Sequence, residues 1–127
     1  MSKLPSPAPR VWLAIFASAT IAAAATPVSA QGGQVSPAAY ANIMKSQSAG
    51  IRTYKGAASE KALAACIDWS QSKGDRVAWR ELGYQYGRRT VAVARSEALQ
   101  YCLRNARQKN IQGCSCHIID VNGQYAN

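Results

Sequence analysis

A chain of 127 residues with 15 Lys and Arg against six Asp and Glu, a formal net charge of +9, has room for one small domain. The charge bears on solubility and on polyanionic partners, and does not dictate a fold. With four cysteines and a single histidine, every metal, haem or Cys-His nucleophile reading depends on one stretch, QGCSCH, residues 112–117.

The first thirty residues have the form of a secretory signal. Lys3 and Arg10 give a basic start, the run from Val11 to Ala25 is apolar, and Val28 and Ala30 are the small residues before a cleavage site. The apolar run is shorter than the ~20 residues needed to span a bilayer. The residue directly after Ala30 is Gln31 and not a cysteine, which argues against a lipoprotein. Cleavage there predicts a bacterial periplasmic or secreted protein beginning at Gln31. It would carry 97 residues, with 13 basic and six acidic side chains and a net charge of +7. All four cysteines survive, and an even count in an exported chain favours disulfides over thiols or metal.

Residues 31–50, rich in Gly, Ser, Pro and Gln, predict a flexible arm or linker, and a compact domain follows over 51–127. Ile51–Tyr54 predicts a short strand. The stretch from Ala58 to Cys66 and the one from Ala94 to Cys102 both fit A-x3-A-L-x2-C, 36 positions apart. Ala at i and i+4 with Cys at i+8 falls on one face of a helix, so the match predicts two copies of one helical unit. Ala62 and Ala98 then belong to a buried stripe, with Lys61 and Gln100 off it. Arg76–Tyr86 predicts a second strand and Cys114–Val121 a third, closed by the turn pair Asn122-Gly123. The resulting order is β-α-β-α-β. It makes a small two-layer α/β or α+β domain, with two helices on one face of a three-stranded sheet.

Val77–Gly123 resembles a class of small exported bacterial domains of unknown function. These share a G-Y-x-x-G strand end (Gly83, Tyr84 and Gly87 here), an A-x3-A-L-x2-C helix and a closing cysteine-containing strand that ends in Asn-Gly. The resemblance implies a compact secreted α/β module and carries over no catalytic residue. A second cysteine in the closing strand and a second copy of the helix motif depart from that pattern.

QGCSCH has one residue between its cysteines, where covalent haem attachment needs two. Zinc would need four converging ligands, and C-x-C is not the usual knuckle spacing. On a strand Cys116 and His117 point to opposite faces, which separates nucleophile from base. Ser115 and His117 share a face, but at i and i+2 no tight approach is expected. Cys114 and Cys116 share the other face, so Cys66 and Cys102 are each expected to bridge to one of them, in an order the spacing leaves open. No metal or cofactor is expected.

The function that follows is an exported, non-enzymatic basic module that binds anionic envelope components or glycans. Nucleic acid is not expected, nor a transmembrane segment after cleavage. Trp79, Arg80, Tyr84, Tyr86, Arg88 and Arg89 interleave aromatic and cationic groups and form the candidate surface. The competing readings are a thiol-disulfide redox protein using Cys114 and Cys116, and a secreted inhibitor or effector.

Overall fold

The computed structural model describes residues 34–126. The expected export signal and its cleavage site lie outside them. The elements are α1 (Pro37–Met44), α2 (Ala49–Lys55), β1 (Ala62–Lys73), β2 (Arg76–Gln85), α3 (Val91–Gln108), β3 (Ser115–Val121) and β4 (Gln124–Tyr125). The class is α+β: among the described residues one antiparallel sheet in the order β2-β1-β3-β4 stands with three helices and two disulfides. Among the described residues no helix is long and apolar enough to cross a membrane.

The first part of β1, Ala62 to Asp68, is buried on both faces, and successive side chains enter different layers. Ala62, Ala64 and Cys66 join Ala94, Ala98, Cys102 and Ala106 of α3 in one cluster. Leu63, Ala65 and Ile67 join Ile43 of α1, Ile51 and Tyr54 of α2, and Ile119 of β3 in the other. The sheet therefore lies between α3 and the α1–α2 pair. This corrects the expectation of both helices on one face, and the hairpin strand β4 raises the strand count from three to four.

The α3 side is thin because its contact residues are small. Gly83 of β2 faces α3 so closely that a Cβ there would lie 2.2 Å from the Cys102 amide nitrogen and 2.5 Å from the Ala98 carbonyl oxygen. The outer layer is thicker and more polar. The Tyr40 and Tyr54 hydroxyls both donate to the fully buried Asp120 carboxylate, Tyr40 at 2.5 Å, and Asp120 Oδ1 accepts the Gly123 amide at 2.8 Å. These bonds fasten α1 and α2 to β3. Burial, then the bond to Asp120, pushes both phenols well above their ordinary value.

Three expected elements change identity. The first A-x3-A-L-x2-C copy is not a helix: its second half opens β1, where Ala62, Ala64 and Cys66 alternate with Leu63, Ala65 and Ile67. Ile51–Tyr54 is not a strand but part of α2, with Ser48 as N-cap accepting the Ile51 amide at 3.2 Å. Residues 34–50 are not an arm. Ser36 caps α1, Pro37 occupies its first turn, and Val35, Ala39 and Ile43 are core residues. Lys61, expected off the stripe, is buried. Its Nζ donates to the carbonyls of Tyr54, Lys55 and Ala57 at 2.9–3.1 Å and closes the C-terminal end of α2.

Candidate functional site: the β2–α3 groove

β2 is an outer strand, and its free edge runs beside the flank of α3. Leu82, Gly83, Tyr84, Gln85, Tyr86, Arg88, Tyr101 and Asn105 line a groove of about 580 Å³ between them. Three features build it. Gly83 lets α3 approach, so Tyr101 and Asn105, one turn apart, reach the strand edge. Asn105 Nδ2 donates to the Leu82 carbonyl at 3.0 Å, in the place of a neighbouring strand. Thr90 starts α3 by accepting the Val93 amide at 3.2 Å, which sets Arg88 at the groove mouth.

The rings are available to a ligand. Tyr86 is 46% exposed and Tyr101 38%. Tyr84 and Tyr86 stack with centroids 6.4 Å apart, and the Arg104 guanidinium lies 4.8 Å from the Tyr101 ring centroid. Arg88 is held by Glu97, Nε to Oε2 at 2.7 Å, and by Gln85 Oε1 at 2.5 Å. Its charge is already partnered, so it acts as an oriented donor more than as a bare cation. Among the described residues Arg89 and Arg104 enter no ion pair.

Of the six expected surface residues, Tyr84, Tyr86 and Arg88 meet in the groove. Trp79 and Arg80 do not, because β2 is irregular where they lie. Cys66 pairs with Glu81 while Ile67 pairs with Trp79, so Arg80 is an extra residue opposite one step of β1. The bulge sends Glu81 toward α3, where it meets Lys109 Nζ at 2.7 Å, and sends Trp79 to the α1 side. Arg80 turns to the Gln112 carbonyl at 3.2 Å and to Asp68 at 3.9 Å. Arg89 stands exposed in the turn between β2 and α3, outside the groove lining. Tyr101, Asn105 and Gln85 were missed. A tyrosine and an asparagine at i and i+4 on α3 were the available signal, unreadable without knowing that this flank borders β2.

The cysteines form two disulfides, Cys66–Cys114 and Cys102–Cys116. Cys114 and Cys116 each take one of the other two, as expected, although Cys66 sits on a strand. Ser115 and His117 depart from expectation: Ser115 Oγ lies 2.6 Å from His117 Nε2, and Trp69 Nε1 approaches the same nitrogen at 3.4 Å. Burial lowers the His117 pKa below its ordinary value, so the ring is a neutral acceptor. Among the described residues no carboxylate hydrogen-bonds to it.

Comparison with protein-family models, characterised proteins and solved structures gave no match.

Proposed function

We propose that the chain is an exported, non-enzymatic binding module, periplasmic or secreted, whose β2–α3 groove holds an acidic glycan of the envelope. The groove carries this reading. Exposed tyrosine rings, two side-chain amides and a fixed guanidinium on one concave surface suit a sugar ring with polar edges. The partnered state of Arg88 favours a glycan over a bare polyanion, with Arg89 and Arg104 adding long-range attraction for its acidic groups. The two disulfides support an oxidising compartment.

The test is retention of the protein from Gln31 onward on a uronic-acid polysaccharide and on a neutral polysaccharide of similar size. Binding to the acidic polymer should fall with salt, since exposed charges are screened within ~8–10 Å at 0.1–0.15 M. Tyr86→Ala and Tyr101→Ala should each weaken it at least tenfold, whereas Arg80→Ala should leave it unchanged. Equal retention of the tyrosine variants, or no retention on either polymer, refutes the reading. N-terminal mass analysis of the native protein tests export, and retention of residues 1–30 counts against it.

A further inference from the structure

The two disulfides are not independent staples. Cys66 and Cys116 are register partners across the β1–β3 ladder, yet each is bonded elsewhere: Cys66 to Cys114, two residues along, and Cys116 to Cys102 on α3. The sulfurs of Cys66, Cys102 and Cys116 all lie within 4.8 Å of one another. Antiparallel ladder partners have Cα atoms roughly 4.5–5.5 Å apart. That separation lies within the roughly 4.4–6.8 Å that disulfides span. The backbone is thus already placed for a third bond, Cys66–Cys116.

Access differs along the cluster. Cys114 and Cys116 are both half-buried, Cys114 in the loop before β3 next to exposed Gly113 and Cys116 within the β1–β3 ladder, whereas Cys66 is 2% exposed and Cys102 is wholly buried on the sheet-facing side of α3. We propose that the four cysteines form one thiol-disulfide exchange site for an external dithiol, entered at Cys114 and relayed by Cys66 to Cys116. A thiolate of the dithiol attacks Cys114 Sγ, and Cys66 leaves as a thiolate. The second thiol of the reagent then closes on its own sulfur and frees Cys114. The dithiol has lost two electrons and the Cys66–Cys114 bond has gained them. Next Cys66 attacks Cys116 Sγ. The Cys66–Cys116 bond forms, the Cys102–Cys116 bond breaks, and Cys102 leaves as a thiolate that takes up a proton. This second step is an isomerisation and consumes no reductant. It moves a covalent tie off α3, the helix that carries Tyr101 and Asn105, and into the sheet. The exchange does not depend on what the groove binds.

Limiting dithiothreitol, a rapid alkylating quench and tryptic mapping test it on the whole protein. Cys66, Cys102 and the Cys114/Cys116 pair fall in separate tryptic peptides, residues 62–73, 96–104 and 110–127. Protein that has lost one disulfide should carry its labels on Cys102 and Cys114, located by fragmentation. Labels on Cys66 and Cys114 would show that no relay occurs, and labels on Cys102 and Cys116 would show direct attack on the inner bond; either overturns the proposal. In Cys114→Ser, peptide 62–73 should be found linked to 110–127 at a yield comparable with the 96–104 link. The 96–104 link alone would overturn the relay.

Discussion

Replacing Gly83 by alanine tests whether the thinness of the α3 interface sets the geometry of the groove. The added methyl would stand 2.2 Å from the Cys102 nitrogen, 2.5 Å from the Ala98 oxygen and 2.7 Å from the Cys102 Cα, all backbone atoms of α3. Ordinary contact begins near 3.4 Å, so helix and strand must part by about 1.2 Å. Rotamer changes cannot relieve a clash with backbone, and the Cys102–Cys116 bond pins the helix at the residue that is struck. Overpacking usually costs ~1–3 kcal/mol. With no soft neighbour to yield, G83A should reach or exceed ~3 kcal/mol. At 4–8 °C per kcal/mol for a domain of this size, the melting temperature should fall by roughly 12–24 °C. Urea denaturation with the disulfides intact measures the loss. Gly56→Ala is the control: its added Cβ meets only the Arg52 carbonyl at 3.8 Å, and its φ of −84° suits any residue. That change should be neutral or stabilising by ~0.4–1 kcal/mol. A G83A protein within ~0.5 kcal/mol of the parent would refute the close-approach argument. If G83A stays folded, groove binding should still fall, because Tyr101 and Asn105 ride on the displaced helix.

Lys61→Met should cost ~2–3 kcal/mol by removing the charged donor from three carbonyls, while Gln100→Met, on the exposed face of α3, should stay within ~0.5 kcal/mol by the same denaturation assay. Asp120→Ala should cost ~3–4 kcal/mol, since it orphans the Tyr40 and Tyr54 hydroxyls and the Gly123 amide. Asp120→Asn should cost less than half as much, because the amide still accepts and donates among them. His117 gives a pH dependence whose sign is fixed by burial. Its folded pKa lies below the ordinary 6.5, so the unfolded chain takes up the proton first. Stability should be full above about pH 6.5 and fall as the pH drops through that value toward the folded pKa. His117→Gln should flatten the denaturation midpoint between pH 5 and 7.5.

The sequence is most legible where polarity and period agree. α3 shows its face through Ala94, Ala98, Cys102 and Ala106, and β3 ends at the Asn122-Gly123 turn it advertises, with Asn122 at φ +52° and Gly123 at φ +82°. The first part of β1 hides because it is buried on both sides. A strand of that kind loses the alternation of apolar with polar residues, and an alanine-rich run favours a helical reading. The period of two survives only as residue size, small toward α3 and mostly larger toward α1 and α2. The apparent repeat has a physical origin in that contact. Ala62, Ala64 and Cys66 face Ala94, Ala98 and Cys102, and each set must be small because the other presses against it. Ala62 and Ala98 are both buried, as the stripe requires, though on different kinds of element. α1 was readable from Ser36-Pro37, a capping residue followed by a proline in the first turn, but the polar composition around it masked the signal. The groove was half legible. Tyr84, Tyr86 and Arg88 adjoin in sequence, whereas Tyr101 and Asn105 reach them only through the tertiary approach that Gly83 permits, and the Arg80 bulge scatters the remaining candidates.

The Cys66–Cys114 bond also determines how the chain carries a load. Tension applied between the two ends runs along the backbone to Cys66, crosses the disulfide and continues from Cys114, so the segment between them bears none of it. β2, α3 and every residue of the groove lie inside that slack loop. Under a steady pull α1 and α2 would be stripped first, and the N-terminal end of β1 would then be drawn out as far as Cys66. The groove would stay unstretched while the layer beneath it came apart. A cut within the loop, at the exposed Arg88-Arg89 pair for instance, would leave both fragments joined until the disulfides were reduced.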